Sequence, residues 1–388
     1  MRYILCFLIF ISSLSAITLE EAAKHTDDSN SGYLLFNALN KSGSNEQEMI
    51  KAIESAPDLQ KKAVIFLISF MPERDLRDLK ADYILENVKL AYEAREKYPW
   101  AKKVPVAVFL NDVLPYATLN ERRDNWRKDF YERFAEVIKG CKSAEEATIA
   151  INKNIKENLG VIYSTKRPKA DQSPYESMEC KLASCTGLSI LLTNALRSVG
   201  IPSRIAGVPK WTNKNGNHNW NEVWIDGKWY FTEYYYAGLN KGWFLKDAAA
   251  ANSKKWDTKV YATSFTPTEY WYPCVWDFNI RYVHGLDVSE RYKELYRKET
   301  EEKSKGFTVR LSLLKGTQDV RVATKVSILN KQGKEVISGV TKGEEDDLNN
   351  VWEFRLPKGV YKAVLPDGKQ KEFEVKNVKT NVVNLKID

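Results

Sequence analysis

The sequence predicts an α+β protein in three parts. These are a helical N-terminal region, a central region in which one apolar helix packs on an antiparallel sheet, and a C-terminal β-sandwich. Three observations carry this reading. From residue 19 to about 160, apolar residues recur at three- and four-residue spacing, the period of a helix. Between residues 177 and 233 an apolar helix pattern gives way to strand patterns and a tight hairpin. From Phe307 onward short strand patterns alternate with turn signals. A length of 388 residues suits two or three domains, and 43% hydrophobic residues are enough to fill packed cores.

Residues 1–16 read as a signal peptide. Arg2 supplies the charge, Ile4 to Ile11 the apolar stretch, and "SSLSA" a small-residue cleavage site near Ser15 or Ala16. The stretch is too short to span a bilayer, and Cys6 lies within the part that cleavage removes. No other segment approaches a membrane-spanning run, so the expectation is a secreted or periplasmic protein with no integral membrane segment after cleavage. Residues 17–144 form the helical region: "QKKAVIFLISFM", "YILENVKLAYEAREKY" and "DNWRKDFYERFAEVIKG" all carry the helical spacing. Loop composition follows in "STKRPKADQSPYES".

A helix then opens at Cys185. Leu188, Leu191, Leu192, Ala195, Leu196 and Val199 fall on one face, Ser184 is an N-cap residue type, and Gly200 and Pro202 close the helix. "SRIAGV" reads as a strand, and "HNWNEVWI-DG-KWYFTE" as a hairpin turning at Asp226-Gly227. Residues 287–306 read as a charged helical linker, and residues 307–388 as a β-sandwich of immunoglobulin-like or carboxypeptidase-regulatory-like type. The acidic run "GEEDD" lacks the alternate spacing of a calcium loop.

The formal net charge is +8, dispersed over many short Lys/Arg groups without a long basic run or a nucleic-acid motif. Nucleic acid is therefore not an expected partner. Once the leader is gone, four cysteines remain: Cys141, Cys180, Cys185 and Cys274. They are too few for a disulfide scaffold, and the spacing of Cys180 and Cys185 without nearby histidines is not a zinc pattern. No cofactor or metal is expected. Cys180 reads as a structural thiol or a disulfide partner.

Cys185 stands where a helix begins. Outward-pointing N–H groups and the positive end of the dipole lower a thiol's pKa and can also hold an oxyanion. Gly187 is expected to leave space for a substrate backbone beside the sulfur. A thiol nucleophile needs an imidazole, and the imidazole needs an orienting group. The histidines are His25, His218 and His284. With a two-residue turn, Ile225 faces Lys228, Trp224 faces Trp229 and Glu222 faces Phe231. Continued outward, this register sets Trp220 opposite Glu233 and His218 opposite Tyr235. His218, Trp220, Glu222, Glu233 and Tyr235 then share one face. Glu233 is a diagonal neighbour of His218, at roughly 7–8 Å along the backbone and within reach of a long side chain. Glu222 lies further toward the turn and Asp226 in it. Trp220, beside the histidine, is the expected wall of the acyl site against water.

At this point the sequence resembles the transglutaminase-like superfamily, a papain-like group of cysteine enzymes, as found in secreted bacterial proteins. The resemblance covers roughly residues 145–277. It rests on "SCTGLSILLTNALRSVGIPSRIAG" and on "HNWNEVWIDGKWYFTE", which occur in the family's order. It implies a catalytic domain over residues 145–286, with Cys185 as nucleophile, His218 as base and Glu233 in the place usually held by Asp. It also implies a protein or peptide substrate and acyl transfer through a thioester. Hydrolysis is the favoured outcome, on the ground that Glu222, Glu233 and Tyr235 make a polar setting for water. Cross-linking of glutamine to lysine amines is the alternative. A non-catalytic binding module, or a function seated in the C-terminal sandwich, are readings from other classes.

Overall fold

The computed structural model describes residues 18–26, 28–235, 238–304, 306–346 and 350–387. The signal peptide expected at residues 1–16 lies outside them. The chain divides into two compact units, residues 1–293 and 294–388.

In the first unit, helices Ser29–Ser42, Glu46–Ser55, Asp58–Phe70 and Ala81–Lys97 close around Leu35, Leu39, Met49, Ile53, Ile68 and Ile84. A second core gathers Trp126, Phe130 and Phe134 against Leu191, Leu192 and Leu196 of the helix Cys185–Ser198. The helical residues and the sheet are thus parts of one unit. Two buried arginines stitch them together. Arg127 donates to Asn87 Oδ1 and to the carbonyls of Val113, Leu114, Pro115 and Arg197. Arg197 donates to the carbonyls of Asp112, Pro115, Ala117 and Ser203. Each fork satisfies backbone acceptors that would otherwise be orphaned in the interior.

The sheet has six antiparallel strands in the order Lys228–Thr232, His218–Ile225, Ser203–Val208, Tyr261–Ser264, His284–Asp287, Tyr270–Trp271. Asp226 and Gly227 both take positive φ, +46° and +87°. That suits the two-residue turn whose twist matches the strands. Ile225 pairs with Lys228, Trp224 with Trp229 and Glu222 with Phe231, the register read from the sequence. Pairing stops at Asn221 and Thr232. The expected His218–Tyr235 pair does not form. Tyr235 takes a left-handed φ of +62°, gives its N–H to Asn152 Oδ1 and lays its ring under Lys156 of the helix Ala144–Leu159. An asparagine on that helix, distant in sequence, ends the ladder.

The helix Ser289–Ser304 begins within the first unit. Tyr292 is fully buried, its ring 5.3 Å from Trp220 and 5.6 Å from Phe231. The opening turn of the expected linker is therefore core. A chain ending at residue 305 is expected to stay soluble and keep its Cys185 reactivity. One ending at residue 288, which strips Tyr292 from Trp220, is expected to lose it. Equal iodoacetamide labelling of Cys185 in both would contradict this.

The second unit is a β-sandwich. One sheet sets Phe307–Lys315 between Thr380–Ile387 on one side and Val320–Arg321 with Trp352–Leu356 on the other. The second runs Glu335–Val340, Lys325–Leu329, Gly359–Val364, Gln370–Val375. Alternate residues of both sheets, among them Leu311, Leu313, Ile328, Ala363, Val375 and Leu385, make one core.

Candidate active site

The helix Cys185–Ser198 is capped by Ser184, whose Oγ accepts from the Gly187 N–H. From Thr186 to Ser198 every residue is buried, so the helix is central rather than amphipathic. Only Cys185 at its mouth is partly open. Gly187 does not face a substrate. A Cβ there would stand 3.0 Å from the Ala183 Cβ and 3.4 Å from Ser177 Oγ. The glycine lets the preceding strand close on the helix.

The opposite face of the His218 strand grips this helix. Asn221 Nδ2 donates to the Ser189 carbonyl and to Thr193 Oγ1, and Asn219 Nδ2 donates to Thr186 Oγ1 at 2.7 Å. Tyr272 Oη closes the set by donating to Asn219 Oδ1 at 2.7 Å. Gly207 makes room for it, since a Cβ there would lie 2.0 Å from Asn219 Oδ1.

The Cys185 thiol and the His218 imidazole line the same cleft, close enough for the imidazole to act on the thiol. His218 Nε2 lies 3.1 Å from Glu233 Oε2. The structure thus brings Cys185, His218 and Glu233 into one chain of neighbouring side chains at the cleft. Burial pushes the Cys185 thiol up. The hydrogen bond to His218, the imidazolium charge and the N–H groups of Asn219 and Thr186 outweigh it and hold the thiol below its ordinary value. Burial pulls His218 down, but its bonds to Cys185 and Glu233 and their charges raise it to about 9. The pair favours thiolate and imidazolium together and titrates as a unit.

Glu222 is not part of the chain. Its carboxylate is 1% exposed and ion-paired to Arg204 at 2.9 Å and to Arg291, and it accepts a hydrogen bond from Tyr292 at 2.7 Å. Trp220 does not wall the cleft. It is fully buried behind His218, stacked on Phe244 at 4.4 Å, with its indole N–H donated to Tyr292. The tryptophan at the cleft is Trp243, which the sequence did not single out as a site residue. It is 59% exposed, and its Nε1 donates to Glu233 Oε1 at 3.2 Å.

The cleft above Cys185 has a volume of about 380 Å³. Tyr163, Leu188, Asn217, Tyr234 and Trp243 border it together with the chain of three. Cys141, Cys180, Cys185 and Cys274 are all free thiols. Cys180 accordingly forms no disulfide; its sulfur accepts from Gln172 Nε2 at 3.0 Å and donates to the Leu182 carbonyl. Among the described residues no helix is long and apolar enough to cross a membrane.

Residues 132–234 match the model of the transglutaminase-like superfamily. The chain carries a domain of that superfamily, a group of papain-like cysteine enzymes. No curated protein matches the chain. Among solved structures it is similar to a candidate cysteine protease from Cytophaga hutchinsonii at 19% identity and a TM-score of 0.29. That alignment covers 48% of this chain and 64% of the other, just under two thirds. It is also similar to the Bacillus anthracis TIE protein at 14% identity and a TM-score of 0.17, covering 48% of this chain and 30% of the other. Red sea bream transglutaminase aligns at 10% identity and a TM-score of 0.24, covering 74% and 57%.

Proposed function

We propose that this chain is an exported cysteine enzyme that transfers the acyl group of a protein or peptide amide through a Cys185 thioester. The observation that carries the reading is the convergence of Cys185, at a helix N-terminus, with His218 and its hydrogen-bonded partner Glu233 on one cleft. The thiolate attacks the amide carbonyl, and the N–H groups at the mouth of the helix stabilise the oxyanion. His218 passes its proton to the departing amine as the C–N bond breaks. Glu233 holds the imidazolium throughout. Water, deprotonated by His218, then releases the acid and restores the thiol. Cleavage of the leader at residues 1–16 would deliver the enzyme outside the cytoplasm.

Hydrolysis is the favoured outcome, on different ground from the sequence reading. Glu222 and Tyr235 face elsewhere, so they supply no setting for water. The support is the cleft itself, which is open to solvent beside the exposed Trp243 and bears Asn217 and Ser189. One observation favours transfer to a lysine amine: Tyr163, Tyr234 and Trp243 line the cleft with aromatic surface that can shield a thioester. Incubation with a glutamine-containing protein and a labelled primary amine separates the two. Ammonia release or peptide cleavage exceeding amine incorporation is expected. Stable incorporation in excess would make the enzyme a transferase. No turnover, with Cys185 inert to alkylation, would leave a binding module.

A further inference from the structure

We infer that Trp243 is a positioning residue for Glu233, holding the long glutamate side chain against His218. The inference rests on the Cys185–His218–Glu233 reading and goes one residue beyond it. A glutamate has one more rotatable bond than an aspartate, so its carboxylate is freer to swing off the imidazole. Glu233 is held at both oxygens. Oε2 faces His218 Nε2 at 3.1 Å, and Oε1 accepts from the Trp243 indole at 3.2 Å. An indole N–H is a donor only, so it can serve the carboxylate but cannot compete with it for the His218 proton.

Trp243 is itself fixed. Its ring centroid lies 4.9 Å from that of His218, 5.8 Å from Phe244 and 6.3 Å from Trp211. The Lys214 ammonium sits 4.9 Å from the centroids of both Trp211 and Trp243, and is tied in turn to Asp247. Asn213 Nδ2 donates to the other Asp247 oxygen at 2.7 Å. This frame is more than an exposed wall residue needs. A tryptophan 59% exposed leaves considerable apolar surface in water. Its ring covers one side of the imidazole and its N–H fixes the carboxylate, so both act on the ion pair.

The test needs no knowledge of the substrate, because iodoacetamide reads the thiolate. Trp243→Phe keeps a ring but removes the donor. Benzothienylalanine at 243 keeps the bicyclic shape and removes only the N–H. In either variant the acid limb of the Cys185 alkylation profile is expected to move to higher pH, with alkylation at pH 6 slowed about threefold to tenfold. In a Glu233→Asp background, where the carboxylate is shorter, the same exchange is expected to change the rate by no more than about twofold. Wild-type profiles from both Trp243 variants, alongside a shifted profile from Glu233→Gln, would overturn the inference and leave the three-residue reading standing. A Glu233→Gln profile that also matches wild type would remove the reading beneath it.

Discussion

Glu233→Gln is expected to lower turnover by about 10²- to 10⁴-fold while leaving the fold intact. The amide can still meet His218, but it carries no charge to stabilise the imidazolium. The side chain lies at the rim of the cleft, so the exchange buries no new polar group. Circular dichroism and thermal melts should match wild type, and the whole loss should appear in the rate. A stable variant with full turnover would remove Glu233 from the mechanism.

Glu222→Gln is expected to act in the opposite way, on stability rather than chemistry. The two glutamates lie on the same hairpin and look alike in the sequence. Yet Glu222 faces Arg204 and Arg291 in the interior, whereas Glu233 faces a histidine and an indole. Removing the single carboxylate leaves two guanidiniums without their counter-charge, Arg204 only 6% exposed. Loss of one partner from a buried ion pair costs about 3–5 kcal/mol. Burial would raise the Glu222 carboxyl, but the two arginines and Tyr292 hold it below its usual range. The stability it contributes is therefore present above the unfolded carboxylate pKa and fades as the pH falls below it. Denaturant melts at neutral pH should show the loss clearly. A melt unchanged from wild type would mean that the arginines find other acceptors.

The contrast shows what the sequence could and could not disclose. The hairpin was legible because Asp226-Gly227 fixes a two-residue turn, and a period of two then sets which residues share a face. That placed His218 and Glu233 together correctly and drew the Glu222–Phe231 pair correctly. It failed where a partner far along the chain intervenes. Asn152 captures the backbone at Tyr235, so the ladder ends before the pair drawn there. Arg204 and Arg291 lie 18 and 69 residues from Glu222, and no local pattern announces them. Trp220 was rightly placed beside His218 on the strand, but the charged helix at Ser289 seals it with Tyr292 and leaves it no access to the cleft. Trp243 stands ten residues past Glu233, beyond the reach of strand alternation. The Cys185 helix was readable from its cap and periodicity. Its complete burial was not, since Trp126, Phe130 and Phe134 arrive from a segment that reads as an ordinary amphipathic helix.

The most direct measurement is alkylation of the intact protein with iodoacetamide near neutral pH, followed in time and mapped by mass spectrometry. Among the described residues four thiols compete. Burial raises Cys141, with Glu146 adding to it, and burial among carboxylates raises Cys274 much further. Cys180 is held by Gln172 and the Leu182 carbonyl. Cys185 has an imidazole beside it, which holds its thiol below the ordinary value, and it opens on the cleft. Cys185 is expected to be labelled first and by a wide margin, with that margin lost in His218→Ala. Labelling led by Cys180, or equal rates at Cys180 and Cys185, would contradict the assignment of Cys185 as the nucleophile.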